Sequence, residues 1–119
     1  MHRTFKFRAY ELIEKRMFTV NALDNTGDYD RIWQARGEGE SSFSPNIVLM
    51  QFIGILDSLT IPIYEGDIVA KNGKKAVVQW DSTYACFVLK GKDWETNTII
   101  GNELIILGNI YENKDLWEK

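Results

Sequence analysis

The sequence is short of the residues that most often carry catalysis and metal binding. Its 119 residues include one histidine, His2, and one cysteine, Cys86. One residue of each kind cannot supply the ligands of a structural zinc ion, and a lone histidine argues against a histidine-based acid–base or nucleophile pair. The glycines also form no complete phosphate-binding pattern. The sequence therefore predicts no metal, no cofactor and no catalytic residue, and we do not expect an enzyme.

The single cysteine and the lack of long apolar runs bear on location. Cys86 cannot form an internal disulfide, which fits a reducing cytoplasm, and its apolar surroundings at residues 85–89 predict a buried small hydrophobe. No stretch approaches the roughly 20 apolar residues of a membrane-spanning helix, and no signal-peptide pattern opens the sequence. We expect a cytoplasmic protein that does not enter a membrane.

The first part of the chain predicts a hairpin followed by a short helix. Residues 5–10 alternate apolar and basic side chains, which is the pattern of a half-buried strand with Phe5, Phe7 and Ala9 facing inward, and residues 16–20 predict its partner strand. Further on, apolar residues recur at helical spacing, which predicts a helix over residues 29–36 that either docks on the core or forms a subunit contact. That face consists of Tyr29, Ile32, Trp33 and Arg36. Asp28 is the predicted N-cap, and Gly37 suits the position just after the helix ends. Residues 37–42 have the composition of a flexible linker, and we expect 38–44 to be the most mobile internal segment.

In the rest of the chain, short apolar segments alternate with turn residues, which predicts short strands joined by tight turns. Residues 47–53 form an apolar run typical of a buried strand, and Asn72-Gly73 between two strand-like segments is a strong signal for a two-residue hairpin. Further strands follow at 86–89 and 103–106, and Gly108 marks a bend or bulge. The fold class predicted is mainly β with a small helical content: an SH3-like β-roll at 47–119, whose tail ends in one helical turn, preceded by a hairpin, helix and linker at 1–46.

The segment 61–69 organises this roll. Pro62 suits a strand start, Gly66 permits a positive φ, and Asp67 can bond to the backbone of its own turn before a strand begins. Glu65 and Asp67 lie two residues apart and point to one side of an extended segment. A paired-carboxylate or cation site is compatible with that spacing, but turn carboxylates that bond to backbone amides are much the commoner case.

Five segments together resemble the YopX family of small phage and prophage proteins. They are residues 5–10, 51–54, 63–69, 78–81 and 107–113, and they occur in the family's order. The positions that carry the structural motifs are Tyr64, Glu65, Gly66, Asp67, Asn72, Gly73, Gly108 and Asn109. The resemblance implies an SH3-like β-roll with an N-terminal extension, a phage genome and a tendency to self-associate, and it carries no established activity. The chain departs from the family at 57–60, where relatives have a Lys/Asn/Gly-rich turn, and at Tyr10, where tryptophan is usual.

Two functions follow as expectations. The favoured one is a phage or prophage accessory protein in the cytoplasm of the bacterial host, non-enzymatic, which forms a homo-oligomer or binds a host or phage protein. Its candidate contacts are the large apolar residues outside the barrel: Tyr29, Ile32, Trp33 and Trp117. The alternative is nucleic-acid binding through a basic face with flanking aromatic rings: Lys71, Lys74, Lys75, Lys90, Lys92, Tyr84 and Trp94. A net charge of −3 makes nucleic acid the less favoured partner.

Overall fold

The computed structural model describes residues 4–24, 33–40 and 42–118. In these ranges the chain is mainly β, as the sequence predicts. The strands are β1 Phe7–Glu11, β2 Arg16–Asp24, β3 Gln34–Gly37, β4 Ile47–Leu56, β5 Pro62–Tyr64, β6 Asp67–Lys71, β7 Lys74–Asp81, β8 Cys86–Lys90, β9 Glu95–Thr96 and β10 Leu104–Asn109. A 3₁₀ turn at Gly101–Glu103 precedes β10, and one short helix, α1, spans Lys114–Glu118.

The chain divides into two compact units, and all pairing between strands is antiparallel. The N-terminal unit is Lys6–Gln51, with the strand order β3-β2-β1-β4. The second unit, called the roll unit below, is Phe52–Lys119 together with Met1–Phe5. It contains the sheet β10-β6-β7-β8-β9 and the pairing of the second half of β4 with β5. The boundary expected between residues 46 and 47 stays a prediction, because β4 begins at Ile47 and contributes to both units.

The N-terminal unit begins with the predicted hairpin. β1 and β2 pair with Ala9 opposite Phe18, and Ala9 is fully buried as expected. The carboxylate of Glu11 closes the turn by accepting hydrogen bonds from the N–H groups of Ile13 and Glu14. The prediction that Phe5 faces inward is wrong: it precedes the first strand pair and is 63% exposed.

The helix predicted over residues 29–36 is wrong where the structure describes the chain, because Gln34–Gly37 is strand β3. Ala35 pairs with Leu23 of β2, bridges to Ser44 and is completely buried. Burial of every second residue matches a strand, and the helical spacing rested on a few side chains that tertiary pairing outweighs. Gly37 is a close-packed strand residue rather than a helix cap, since a Cβ there would lie 3.1 Å from the Phe18 ring. Tyr29 and Ile32 lie outside the described residues, and the mobility of 38–44 stays a prediction.

The roll unit has a compact core and the predicted central hairpin. Asn72 and Gly73 have φ values of 51° and 79° and join β6 to β7, with Ile68 opposite Val77. Both positive φ values suit the two-residue turn, which confirms the prediction. The core side chains come from five strands and are at most 1% exposed: Ile63, Val69, Ala76, Val78, Leu89 and Leu104. The order of the described strands ends at β10 and β9, so the roll is open.

The segment around Gly66 connects three parts of the roll. Gly66 has a φ of 86°, its N–H donates to the carbonyl of Val78, and its own carbonyl accepts from the N–H of Ile110. Asp67 is 2% exposed, and its carboxylate accepts a 2.8 Å hydrogen bond from the N–H of Tyr64. The commoner interpretation of this carboxylate, a turn acceptor, is therefore the one that the structure shows.

The end of β10 has the predicted irregularity. The register with β6 shifts between Ile106 and Gly108, which is a bulge at the glycine. A Cβ on Gly108 would lie 2.4 Å from Oδ1 of Asn113, so a side chain there would displace the next turn. Asn109 then accepts hydrogen bonds from the N–H groups of Tyr111 and Glu112, which leads the chain into the single helical turn expected for the tail.

Candidate functional site

Two neighbouring cavities of the roll unit bring basic and aromatic side chains together. One, of about 240 Å³, is lined by Lys74, Lys75, Lys92, Asp93, Trp94 and Trp117. The other, of about 360 Å³, is lined by Lys71, Asn72, Lys74, Trp94 and Thr96. Because both cavities share Lys74 and Trp94, we treat them as one feature and call it the basic groove.

Trp94 is held in the groove by a glycine. The N–H of Gly91 donates a 2.8 Å hydrogen bond to the carbonyl of Trp94, which folds the loop back on itself. A Cβ on Gly91 would lie 2.1 Å from Nε1 of the indole and 2.4 to 2.5 Å from the two ring atoms beside it. These near-equal distances mean that one face of the ring covers Gly91. Trp94 also packs against the core, so its position is fixed while it borders both cavities.

Protein groups already contact three of the groove lysines. Nζ of Lys75 donates a 2.6 Å hydrogen bond to the carbonyl of Leu116, which ties α1 to β7. Nζ of Lys71 lies 3.5 Å from a carboxylate oxygen of Glu103, and Nζ of Lys92 lies 5.8 Å from the centroid of the Trp117 ring. Lys74, at the start of β7, is exposed. The lining of the groove is positively charged overall, because it includes four lysines and one acidic residue, Asp93.

The other two residues of the predicted basic face lie elsewhere. Lys90 is opposite Val77 in the register, which places it on the other face of the sheet from Lys74. Tyr84 is at the tip of the β7–β8 hairpin, is 78% exposed, and lines a separate cavity with Cys86 and Glu95. Cys86 is half-buried rather than fully buried, because that cavity opens beside it.

The predicted protein contacts are only partly described. Trp33 precedes β3 and is 48% exposed, whereas Trp117 is half-buried in α1 beside Lys92. Tyr29 and Ile32 lie outside the described residues. Within residues 4–24, 33–40 and 42–118, no group of three or more His, Cys, Asp or Glu side chains is arranged to hold a metal ion.

A second surface feature, which sequence reasoning missed, surrounds the start of β10. Six aliphatic side chains there are between 43% and 62% exposed, and we call them the edge patch: Leu56, Leu59, Ile61, Ile100, Ile105 and Leu107. Backbone contacts hold their segments side by side. The N–H of Ser58 donates to the carbonyl of Leu104, and the backbone of Gly101 packs so closely on Leu56 that a Cβ would lie 1.9 Å from its carbonyl oxygen.

Asp57 is the residue that joins the parts of the edge patch. Its carboxylate is 3% exposed and accepts hydrogen bonds from the N–H groups of Leu59, Ile61 and Ile106. Burial raises the pKa of this carboxyl, but the three backbone donors favour the charged form more strongly, so its pKa lies below the ordinary value. The turn also occupies backbone groups of β10 that a further strand would need, which blocks strand addition along that part of the edge.

Comparison with protein families identifies the chain. Residues 6–118 match the model of the family described as YopX protein. The chain belongs to the YopX family. The match extends over both units and includes the motif at 64–67 and the bulge at Gly108, as the five segments of the sequence indicated.

A solved structure shares the fold of this YopX-family chain. It is the crystal structure of protein EF1440 from Enterococcus faecalis, with a TM-score of 0.65 over 98% of this chain and 99% of that one. The two sequences are 18% identical, so the likeness shows the fold alone. No curated protein matches the chain. Among the described residues, the helical segments fall short of the length and apolar character that crossing a membrane requires.

Proposed function

We propose that this YopX-family chain is a non-enzymatic binding module that self-associates through the edge patch. In line with the family resemblance, we place it as a phage or prophage accessory protein in the cytoplasm of the bacterial host. The observation that carries the proposal is the edge patch itself, with six large aliphatic side chains exposed on segments that hydrogen bonds hold together.

Apolar surface left in contact with water costs free energy. Isolated exposed leucines are ordinary, but several adjoining ones mark interaction surfaces. Covering this surface is favourable by about 25 cal/mol for each Å² removed from water. Because Asp57 and Ser58 already occupy backbone groups of β10, we expect association through side chains rather than through strand pairing.

A second copy of the chain is the occupant that we favour. A patch built from one chemical type of side chain can meet its own copy across a two-fold axis, which is the commonest arrangement in soluble oligomers. The aliphatic side chains would then bury one another without having to pair buried charges. A host or phage protein with an apolar surface of its own is the competing occupant.

Light scattering at micromolar concentration, with two single variants, tests the proposal. The unmodified chain is expected to form a species larger than 13.8 kDa. Leu59→Glu and Ile105→Glu are each expected to shift it to the monomer, since assembly would bury the new charge. Ile13→Glu is the matched control, because Ile13 is an aliphatic residue, 71% exposed, in the β1–β2 turn.

Three results would count against the proposal. A monomer at every concentration would remove self-association. An oligomer that survives both patch variants, or one that Ile13→Glu disrupts equally, would place the interface elsewhere. Dissociation by Trp33→Glu alone would assign it to the N-terminal unit. Circular dichroism of each variant separates lost assembly from lost folding.

A further inference from the structure

We infer that the basic groove binds single-stranded nucleic acid, with one base stacked on Trp94 and the neighbouring phosphates beside Lys71, Lys74 and Lys75. The inference is independent of the proposed self-association, because the groove and the edge patch share no residue. The net charge alone argues against this partner, and the arrangement of the groove residues is what points to it.

The position of Trp94 suits stacking. One face of its indole covers Gly91, and the ring lines both cavities of the groove. A ring fixed in this way loses little conformational freedom when a base stacks on it. Such stacking is sequence-tolerant, because every base has a flat face.

Lysine side chains line both cavities that the ring borders. Lys74 lines both cavities, Lys71 lines one and Lys75 lines the other. A strand that runs through both cavities therefore passes Trp94 and the lysines of each cavity. The carbonyl of Leu116 holds Lys75 in place, and a phosphate would have to compete with Glu103, 3.5 Å away, for the ammonium group of Lys71. The carboxylate of Asp93 lines the smaller cavity and repels phosphate, so we expect a micromolar rather than a tighter dissociation constant.

The geometry favours a single strand over two other anionic partners. In a duplex the base faces are stacked inside the helix, where a ring whose other face is fixed to Gly91 cannot reach them. An acidic peptide would satisfy the lysines but would present no flat ring to Trp94. Both partners are therefore useful negative probes.

The experiment is fluorescence anisotropy of the full chain with three labelled probes, at low and at physiological salt. The probes are a short oligothymidylate, a duplex of the same length and an oligoglutamate peptide. We expect the single strand to bind at physiological salt, and the duplex and the peptide to bind about tenfold more weakly or less. Salt is expected to weaken all three, because each phosphate contact releases counterions.

Matched variants separate stacking from charge. Trp94→Leu is expected to weaken single-strand binding about fivefold or more, and Trp94→Phe, which keeps a ring, to retain most of it. Lys74→Glu, at an exposed position, is expected to weaken binding by a similar factor. The controls outside the groove are Tyr84→Leu, at a residue 78% exposed, and Lys114→Glu, whose side chain is 77% exposed on α1.

Several outcomes would overturn the inference. They are single-strand binding that disappears at physiological salt, a duplex or oligoglutamate that binds as tightly as the single strand, and control variants that weaken binding as much as the groove variants. If Trp94→Leu fails to fold by circular dichroism, Lys74→Glu decides the matter, because unchanged binding by that variant contradicts the assigned path of the strand.

Discussion

The carboxylate of Asp57 joins the β4–β5 turn to strand β10, which is far away in the sequence. Its Oδ2 accepts a 3.1 Å hydrogen bond from the backbone N–H of Ile106, 49 residues further along the chain, while Oδ1 accepts from Leu59 and Ile61. One side chain therefore closes the β4–β5 turn and anchors that turn to β10.

Replacing Asp57 with asparagine should destabilise the roll unit. An amide can accept only on its oxygen, and its NH₂ group would face an N–H that now donates to the carboxylate. We expect a loss of about 1.5–3 kcal/mol in the free energy of unfolding at neutral pH, measured by urea denaturation. Asp81→Asn is the control, since that carboxylate accepts from two N–H groups of its own exposed turn, and it should cost less than about 1 kcal/mol.

The same carboxylate should make stability depend on pH in a defined direction. Its pKa is lower in the folded chain than the ordinary value of 3.8, because the backbone donors outweigh its burial. The unfolded chain then binds the proton more readily, so the contribution of Asp57 is complete above pH 3.8 and is lost as the pH falls through the folded-state pKa. The unmodified chain should therefore lose more stability in acid than Asp57→Asn does. Equal acid sensitivity in the two proteins would contradict this assignment.

Substituting Gly73 tests the hairpin turn separately from packing. Gly73 has a φ of 79°, and a Cβ there would meet no atom within 4 Å, so an added methyl group acts only through backbone conformation. We expect Gly73→Ala to lower the free energy of unfolding by about 1–2 kcal/mol. Lys74→Ala, one residue later in β7, should change it by no more than about 0.5 kcal/mol. If the two variants lost the same free energy of unfolding, the positive φ of Gly73 would not be the cause of the loss in Gly73→Ala.

The ion pair of the N-terminal unit should be visible in a carboxyl titration. Nη1 of Arg16 lies 2.7 Å from Glu40, and the N–H of Gly37 donates to the same carboxylate. The guanidinium is the larger cause and the backbone donor the smaller, and together they hold the pKa of Glu40 below its ordinary value. Arg16→Gln should raise that pKa towards 4.5, as followed by carboxyl carbon NMR. Lys15→Gln, in the same turn, should leave it unchanged, and an ordinary pKa for Glu40 in the unmodified chain would contradict the pair.

The candidate sites were only partly predictable. The lysines and Trp94 were recognisable as a basic and aromatic set, but which of them line the groove follows from the folded roll unit. Lys90 faces away from Lys74 because it pairs opposite Val77, and Tyr84 lies at a distant hairpin tip. The edge patch could not be recognised, because the side chains of an apolar strand such as β10 are buried or exposed according to what packs against each face of the sheet.

The sequence by itself determined the features that depend on local backbone conformation. Asn72-Gly73, Gly66 and the bulge at Gly108 were predictable because few residues other than glycine and asparagine tolerate such geometry or such close approach. The family was predictable too, since its motifs occur in order along the chain.

Tertiary structure decided what depends on contacts between distant residues. Ala35 belongs to a strand because β2 and Ser44 offer it backbone partners and burial, which a helical spacing of a few apolar side chains cannot outweigh. Trp94 lies over Gly91 because the loop after β8 folds back, and Asp57 reaches Ile106 because β10 lies beside the β4–β5 turn. These positions follow from the free energy of the packed chain as a whole, to which distant segments contribute as much as sequence neighbours do.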